Sequence, residues 1–160
     1  MSCTNPFTIK KSNGEIVSVP CRHCVGCTIT KVQNLRIYGL AEQTAQSLAG
    51  NSSSFIRLSY NDANLPVVYN GELKRLGELM QNGKVPVNFK PTLLKSDFIK
   101  LMKRVRQDIF RKYDGRKIKY IYCGEYGDEN NRPHYHIVLF GLSHRQAEVI
   151  IKNQWNRNYF

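Results

Sequence analysis

The sequence lacks three features that would place it in other classes of protein. No run of about 18 or more apolar residues occurs in its 160 residues, so no segment is predicted to span a membrane. Residues 1–6 carry no apolar signal segment, which favours a cytoplasmic protein. Repeats and low-complexity tracts are also lacking, and the length suits one domain over residues 1–160.

Acidic residues are scarce. The chain has 12 Asp and Glu residues against 24 Lys and Arg residues, which gives a formal net charge of +12. A small domain with this excess of positive charge most often binds a polyanion. We therefore expect nucleic acid as the partner, and regard a basic surface kept for solubility as the weaker interpretation.

The five cysteines are odd in number, and four of them lie in the first 27 residues. Cys21, Cys24 and Cys27 form two Cys-x-x-Cys steps that share Cys24, and Cys3 completes a set of four thiolates for a structural zinc ion. His23 is a reserve ligand. An iron–sulfur cluster fits less well, because its fourth cysteine usually follows closely and precedes a proline. Four reduced structural cysteines are the remaining alternative.

The hydrophobic pattern predicts an α+β fold, with a central antiparallel sheet and helices packed on one face. A small cysteine-rich segment (1–27) precedes the sheet and helices (28–160). Between residues 61 and 91 the pattern dissolves into an irregular connection, with one helical turn near 71–80 and a short strand at 85–89. The other predicted elements are a helix at 28–49, a strand at 53–60, a helix at 97–112 capped by Ser96, strands at 117–124 and 133–140, and a helix capped by Ser143.

The second helix carries many basic residues around a buried stripe formed by Phe98, Ile99, Met102, Val105, Ile109 and Phe110. Excess positive charge on one element fits contacts with a nucleic-acid backbone, although a solvated charged face is an equal alternative. The candidate DNA-binding residues of the whole chain are Arg57, Lys103, Arg104, Arg106 and Arg132.

The strand at 133–140 places His134 and His136 on one side, because residues of a strand alternate between its two faces. Residues 117–124 and 133–140 read as a hairpin. If Glu125 pairs with His134 across it, Cys123 falls opposite His136 and Glu125 becomes a third ligand on the same face. If strand 53–60 is the other neighbour, Arg57 and Ser59 also face this site. Two histidines and one carboxylate leave open positions on Mg²⁺, Mn²⁺ or Zn²⁺. The alternative is an ordinary histidine pair near an acid.

An open divalent-metal site in a basic protein points to phosphodiester chemistry. The motif Pro133-His134-Tyr135-His136, followed by an apolar strand, resembles the His-hydrophobic-His motif of the HUH endonucleases, which include rolling-circle initiators, relaxases and some transposases. The resemblance is narrower still. The cysteine segment, the strand at 55–60, the basic helix and the run Cys123-Gly124-Glu125-Tyr126-Gly127 before the histidines occur in the order found in replication initiators of gokushovirus-type microviruses and their remnants in bacterial genomes.

This resemblance implies an HUH/RRM-like nuclease domain that acts in the cytoplasm of a bacterial host, with host replication proteins as further partners. Such an enzyme binds a hairpin or single-stranded origin and nicks one strand. A tyrosine then stays linked to the 5′ phosphate, and the free 3′ hydroxyl primes rolling-circle synthesis. Carried over to this chain, His134 and His136 are ligands of a catalytic Mg²⁺ or Mn²⁺ ion, and Glu125 is the third ligand.

The chain departs from the family pattern at the nucleophile. Family members have a tyrosine well downstream of the histidines, commonly with a lysine one turn away. After His136 the only tyrosine is Tyr159, and no lysine follows it. We therefore expect a chain truncated before its nucleophile, with Tyr159 as a weaker candidate. The alternatives are a non-catalytic, zinc-containing module that binds single-stranded DNA, and a small zinc protein used for partner contacts.

Overall fold

A computed structural model describes residues 3–80, 84–128 and 131–159, with the side chains of residues 156–159 left out. The chain divides into two compact units, Met1–Ala45 and Gln46–Phe160. None of the helices in the described ranges is long and apolar enough to cross a membrane.

The N-terminal unit opens with a hairpin that was not predicted. Strand β1 (Phe7–Lys10) pairs antiparallel with β2 (Ile16–Val19). The chain reverses at Gly14, whose φ of 85° favours glycine. The available signal was the turn dipeptide Asn13-Gly14, because four-residue strands with mostly exposed side chains carry little hydrophobic alternation.

Helix α1 (Val25–Leu48) confirms the predicted first helix but begins three residues earlier. The amide of Thr28 donates to the carbonyl of Cys24 at 3.0 Å, so helical hydrogen bonding starts inside the cysteine segment. The apolar positions Val32, Leu35 and Tyr38 are 60%, 42% and 69% exposed, so they do not form a buried stripe.

The C-terminal unit contains two antiparallel three-stranded sheets. The strand order is β3-β8-β7 in the main sheet and β5-β4-β6 in the smaller one. The elements are β3 (Ser53–Ser59), β4 (Pro66–Tyr69), β5 (Glu72–Arg75), α2 (Leu76–Leu79), β6 (Lys90–Pro91), α3 (Lys95–Lys112), β7 (Lys119–Tyr126), β8 (Pro133–Phe140) and α4 (His144–Tyr159).

The core lies on one face of the main sheet. Strand β8 alternates, with Tyr135, Ile137 and Leu139 buried and the residues between them half-buried. Helices α3 and α4 pack on this face: Phe98 stacks on Tyr122 with ring centroids 3.8 Å apart, and Trp155 lies 5.2 Å from the ring of Tyr60. The predicted α+β arrangement, with helices on one face of an antiparallel sheet, is confirmed.

The prediction of an irregular connection at 61–91 was wrong. Strands β4 and β5 form a tight hairpin through Asn70 and Gly71, whose φ values are 50° and 81°. Two consecutive positive φ values at Asn-Gly are typical of a two-residue hairpin turn. The predicted helical turn reduces to Leu76–Leu79, and the strand at 85–89 is replaced by Lys90–Pro91, which pairs with β4.

Several element ends also moved. Strand β7 covers Lys119–Tyr126 instead of 117–124. Helix α3 begins at Lys95 with Leu94 at its N-cap, so Ser96 lies in the first turn. Strand β8 has the predicted bounds.

Two predicted packing details had different outcomes. In α3 the buried stripe includes Leu101 and excludes Ile99 and Phe110, which are 43% and 59% exposed. The capping box before α4 is confirmed, since the Ser143 amide donates to Gln146 Oε1 at 3.0 Å and the Gln146 amide to Ser143 Oγ at 3.4 Å.

Candidate metal centre

The hairpin of β7 and β8 has the predicted register. Glu125 lies directly opposite His134, and Cys123 lies opposite His136. On the other side of β8, Ser59 and Arg57 pair with the same two histidines. Because directly opposed residues project to the same face, all of these side chains share the face of the sheet that α3 and α4 leave uncovered.

Three potential ligand atoms converge on this face. Glu125 Oε2 lies 2.9 Å from His136 Nε2 and 3.7 Å from His134 Nε2, and the three atoms lie within 4.8 Å of one another. Ligands at ~2.0–2.2 Å from one ion are themselves roughly 3–3.5 Å apart, so the set fits a divalent metal. Glu125 is 58% exposed, which leaves the site open to solvent on that side.

The orientation of His134 is fixed by the backbone. Its Nδ1 lies 3.1 Å from the carbonyl oxygen of Arg132. A carbonyl only accepts hydrogen bonds, so Nδ1 carries the proton and Nε2 keeps the lone pair that a metal requires. His136 is held differently: its ring stacks on Phe55 with centroids 5.3 Å apart and planes 17° apart.

Arg132, a predicted DNA-binding residue, has its guanidinium engaged within the protein. Its Nη1 donates to Asp62 Oδ1 at 2.7 Å, and its Nη2 donates to the carbonyl of Tyr60. Its own carbonyl accepts from the Gly127 amide at 3.0 Å as well as from His134. Arg132 therefore ties the β7–β8 loop to the end of β3, next to the ligands.

The other basic candidates occupy two different places. Arg57 is exposed on the face of the metal centre. Lys103, Arg104 and Arg106 belong to α3, which packs on the opposite face. Arg104 donates to the carbonyl of Gln154 at 3.2 Å, and the Arg106 guanidinium lies 4.9 Å above the ring of Tyr120. The structure therefore does not bring the α3 cations together with the metal centre.

The four N-terminal cysteines converge within the N-terminal unit. Their Sγ atoms all lie within 4.8 Å of one another, with Cys21 to Cys27 at 4.0 Å and Cys24 to Cys3 at 3.8 Å. Zinc–sulfur bonds of ~2.3 Å in a tetrahedron place sulfur atoms roughly 3.8 Å apart. Cys3 therefore occupies the fourth position, and His23 lies outside the group. The set can hold a metal ion.

The local backbone favours a thiolate in this group. Hydrogen bonds from backbone groups, first from Thr4, lower the pKa of the Cys24 thiol to about 5. Backbone hydrogen bonding at Cys21 likewise lowers the pKa of the Cys3 thiol, whereas desolvation raises that of Cys27 to about 12. Thiolates are the metal-binding form of cysteine, so at least part of the set is prepared for a cation.

The tyrosines differ in what they offer as nucleophiles. Tyr135 stands between the two histidines in sequence but is 2% exposed on the core face, where burial raises the pKa of its hydroxyl to about 12. Tyr159 is the last residue of α4, and its side chain lies outside the described part of the structure.

Sequence reasoning missed the contribution of Phe55. Its phase with Arg57 was evident from strand alternation, but its stacking on His136 depends on the pairing of β3 with β8. Trp155 was also assigned only to the end of a helix, whereas its Nε1 donates to the carbonyl of Ser59 at 2.8 Å and so fixes the end of β3.

The fold and the site define a class of protein: an α+β domain with a candidate two-histidine, one-carboxylate metal centre on an open sheet face and a separate four-cysteine group. The family model for the phage replication-associated protein ORF2 matches residues 84–160, which include both strands of the candidate centre. No solved structure matches the chain.

Three curated proteins match most of the chain. The replication-associated protein ORF2 of Spiroplasma virus 4 is 31% identical over 137 residues, which is 86% of this chain. The replication-associated proteins VP4 of Bdellovibrio phage phiMH2K and ORF4 of Chlamydia phage 1 are each 26% identical, over 85% and 82% of the chain. The chain is thus a relative of the microvirus replication-associated proteins. It spans 36%, 36% and 26% of the lengths of these three.

Proposed function

We propose that the chain carries the DNA-nicking centre of a phage replication initiator that acts on single-stranded or hairpin origin DNA in the bacterial cytoplasm. The observation that carries the proposal is the convergence of Glu125, His134 and His136 on the open face of the sheet. The match to replication-associated phage proteins supports the biological role. The net charge of +12 supports a polyanionic substrate.

Each residue of the centre has a defined task in this proposal. His134 and His136 present Nε2 lone pairs, and Glu125 adds a charged oxygen, so together they hold Mg²⁺ or Mn²⁺ with positions left open for a phosphate. The bound ion would polarise the scissile phosphate and offset the charge that develops on its oxygens. Arg57, exposed beside His136, supplies a further positive charge for the phosphate backbone.

The proposed nucleophile is a tyrosine hydroxyl. It attacks phosphorus, the bond from phosphorus to the 3′ oxygen breaks, and the protein becomes joined to the 5′ phosphate while a 3′ hydroxyl is released. Tyr135 is unsuitable, because it is buried on the opposite face with a raised pKa. Tyr159 is the candidate that the sequence offers downstream of the histidines.

Metal binding tests the centre independently of the nucleophile. We expect calorimetric titration with Mn²⁺ to give one site per chain at the histidine centre, and His136→Ala to weaken it at least tenfold. His23→Ala is the matched control, because His23 is exposed and belongs to neither candidate metal group. Failure of the wild-type protein to bind Mn²⁺ would sink the proposal.

Incubation with end-labelled single-stranded and hairpin oligonucleotides then tests the reaction. We expect Mn²⁺-dependent cleavage and a covalent adduct on a denaturing gel, both lost in His136→Ala. Loss of the adduct in Tyr159→Phe would assign the nucleophile to that residue.

One observation favours a second candidate function, a non-catalytic module that binds single-stranded DNA. Phe55 is 62% exposed on the same open face, and exposed aromatic rings on sheets stack with unpaired bases. This candidate differs from the first in outcome: it predicts DNA binding without any adduct, whatever metal is added.

We also propose that the four-cysteine group holds Zn²⁺ as a structural ion. The sulfur separations of 3.8 and 4.0 Å and the lowered pKa of Cys24 support this assignment. Four thiolate ligands complete a tetrahedron and leave no open position, which is typical of a structural site.

A further inference from the structure

A groove runs beside the candidate metal centre, between strand β3 and helix α4. In the described sheet, β3 pairs only with β8 and its other edge is open. The groove has a volume of about 330 Å³ and is lined by β3 from Phe55 to Ser59 and by Glu148, Ile151, Lys152 and Trp155 of α4. Neither metal group uses this space.

The wall formed by β3 presents backbone hydrogen-bonding groups. Trp155 Nε1 donates to the carbonyl of Ser59 at 2.8 Å, so this carbonyl faces α4 and not β8. Backbone groups of an antiparallel strand alternate in direction from residue to residue. The N–H and C=O groups of Arg57 and Phe55 therefore also face away from β8, toward the groove, where they offer donors and acceptors in alternation.

The charges at the groove favour an anionic ligand. Arg57 and Lys152 are exposed, and within the described ranges neither head group has a hydrogen bond or an ion pair. Glu148 is the one acid among the lining residues. The apolar floor of Ile151 and Trp155 adds a surface that suits a flat aromatic group.

The groove is continuous with the metal centre. Arg57 lies directly opposite His136, at the ~4.8 Å spacing of neighbouring strands, and the ring of Phe55 stacks on that histidine. Phe55 and Arg57 thus belong to both sites. A polynucleotide with one phosphate at His136 would place a neighbouring nucleotide within reach of the groove.

From these observations we propose that the groove binds one nucleotide of single-stranded DNA next to the scissile phosphate. The base occupies the apolar floor, its polar edge meets the backbone of Arg57, and the Arg57 and Lys152 side chains contact its phosphates. The volume is near the lower limit of ~300 Å³ for small-ligand sites, and too narrow for a helix ~10 Å across. This inference rests on the proposed function, since it assigns the same DNA as ligand.

Abasic scanning of a fluorescein-labelled 12-nucleotide single strand tests the proposal. Binding is measured by fluorescence anisotropy without added divalent metal, so the result does not depend on the metal centre. For the wild-type protein we expect removal of the base at one or two adjacent positions to weaken binding roughly tenfold, and removal elsewhere to have little effect.

Two variants connect that pattern to the groove. Glu148→Trp replaces an exposed side chain and fills the groove without disturbing the core, so intact and abasic strands should then bind equally. Lys152→Glu should weaken binding and reduce the abasic penalty. The control Lys100→Glu makes the same change of charge on the exposed surface of α3, and it should retain the position-dependent penalty.

A flat abasic profile in the wild-type protein, or a penalty that persists in Glu148→Trp, would overturn the inference. A changed oligomeric state in Glu148→Trp with unchanged DNA binding would assign the open edge to a second copy of the chain instead, and would equally overturn it. Failure of Mn²⁺ binding with a position-dependent abasic penalty would remove the proposed nicking function and leave the groove standing.

Discussion

At the scale of single residues, the state of His134 depends on Arg132. The arginine anchors itself to Asp62 and to the carbonyl of Tyr60, and its own carbonyl accepts the proton of His134 Nδ1. Hydrogen bonds of this kind to the far nitrogen of a ligating histidine fix its tautomer and ring orientation. Arg132 is thus a positioning residue for the metal centre.

We predict that Arg132→Ala weakens Mn²⁺ binding by about 10- to 100-fold, because the loop carbonyl is no longer held against His134. Calorimetric titration measures the affinity, and Lys100→Ala is the control for the loss of one positive charge. A normal Mn²⁺ affinity combined with weaker, salt-sensitive DNA binding would instead return Arg132 to the role of a phosphate contact.

The sequence predicted the ligands and missed the residue that positions them, for a physical reason. Strand alternation has a period of two, so it fixes the shared face of His134 and His136 without reference to the rest of the fold. The hairpin then brings Glu125 to the same face. The partners of Arg132 lie 70 and 72 positions away in the sequence, and no local pattern encodes contacts of that range.

At the scale of elements, the second sheet is joined to the core by one buried ion pair. Arg75, at the end of β5, donates to both carboxylate oxygens of Asp97 in α3, at 3.0 and 2.9 Å. The Asp97 side chain is 2% exposed and also accepts from the Tyr60 hydroxyl at 2.9 Å. Burial, with the neighbouring Tyr135 and Asp97, raises the pKa of Tyr60, so its hydroxyl stays protonated as a donor.

Removing one partner of a buried pair leaves an uncompensated charge. We predict that Arg75→Ala lowers the free energy of unfolding by about 2–4 kcal/mol, measured by urea denaturation. Lys74→Ala on the same strand is the control: its 2.9 Å contact with Glu72 is exposed, so the cost should stay below about 0.5 kcal/mol. Equal losses in the two variants would contradict the central role of Asp97.

The same sheet shows where element prediction failed. Residues 61–91 contain several Asn, Gly and Pro residues, which together suggest a loop. Asn70 and Gly71 instead form one tight turn between two four-residue strands. Strands this short bury too few side chains to display an alternation, so the turn dipeptide was the one informative signal.

At the scale of the whole molecule, the two candidate metal groups lie in separate units and differ in chemistry. The N-terminal unit offers four sulfur ligands, which form a closed set preferred by zinc. The C-terminal unit offers two nitrogens and one oxygen, with room for further ligands. Cysteine spacing predicted the first group, because ligands close in sequence need little of the fold to converge; only Cys3 required the β1–β2 hairpin to return.

This separation predicts that the two metals can be removed independently. We expect Cys24→Ser to release the zinc, measured by atomic absorption, and to increase amide hydrogen exchange within residues 3–45, since structural zinc contributes folding free energy directly. Mn²⁺ affinity at the histidine centre should stay within about twofold of the wild-type value. Cys123→Ser is the matched control, because this cysteine lies outside the four-sulfur group and the zinc content should not change. A parallel loss of Mn²⁺ binding in Cys24→Ser would mean that the N-terminal unit stabilises the histidine centre, and that the two sites form one cooperative structure.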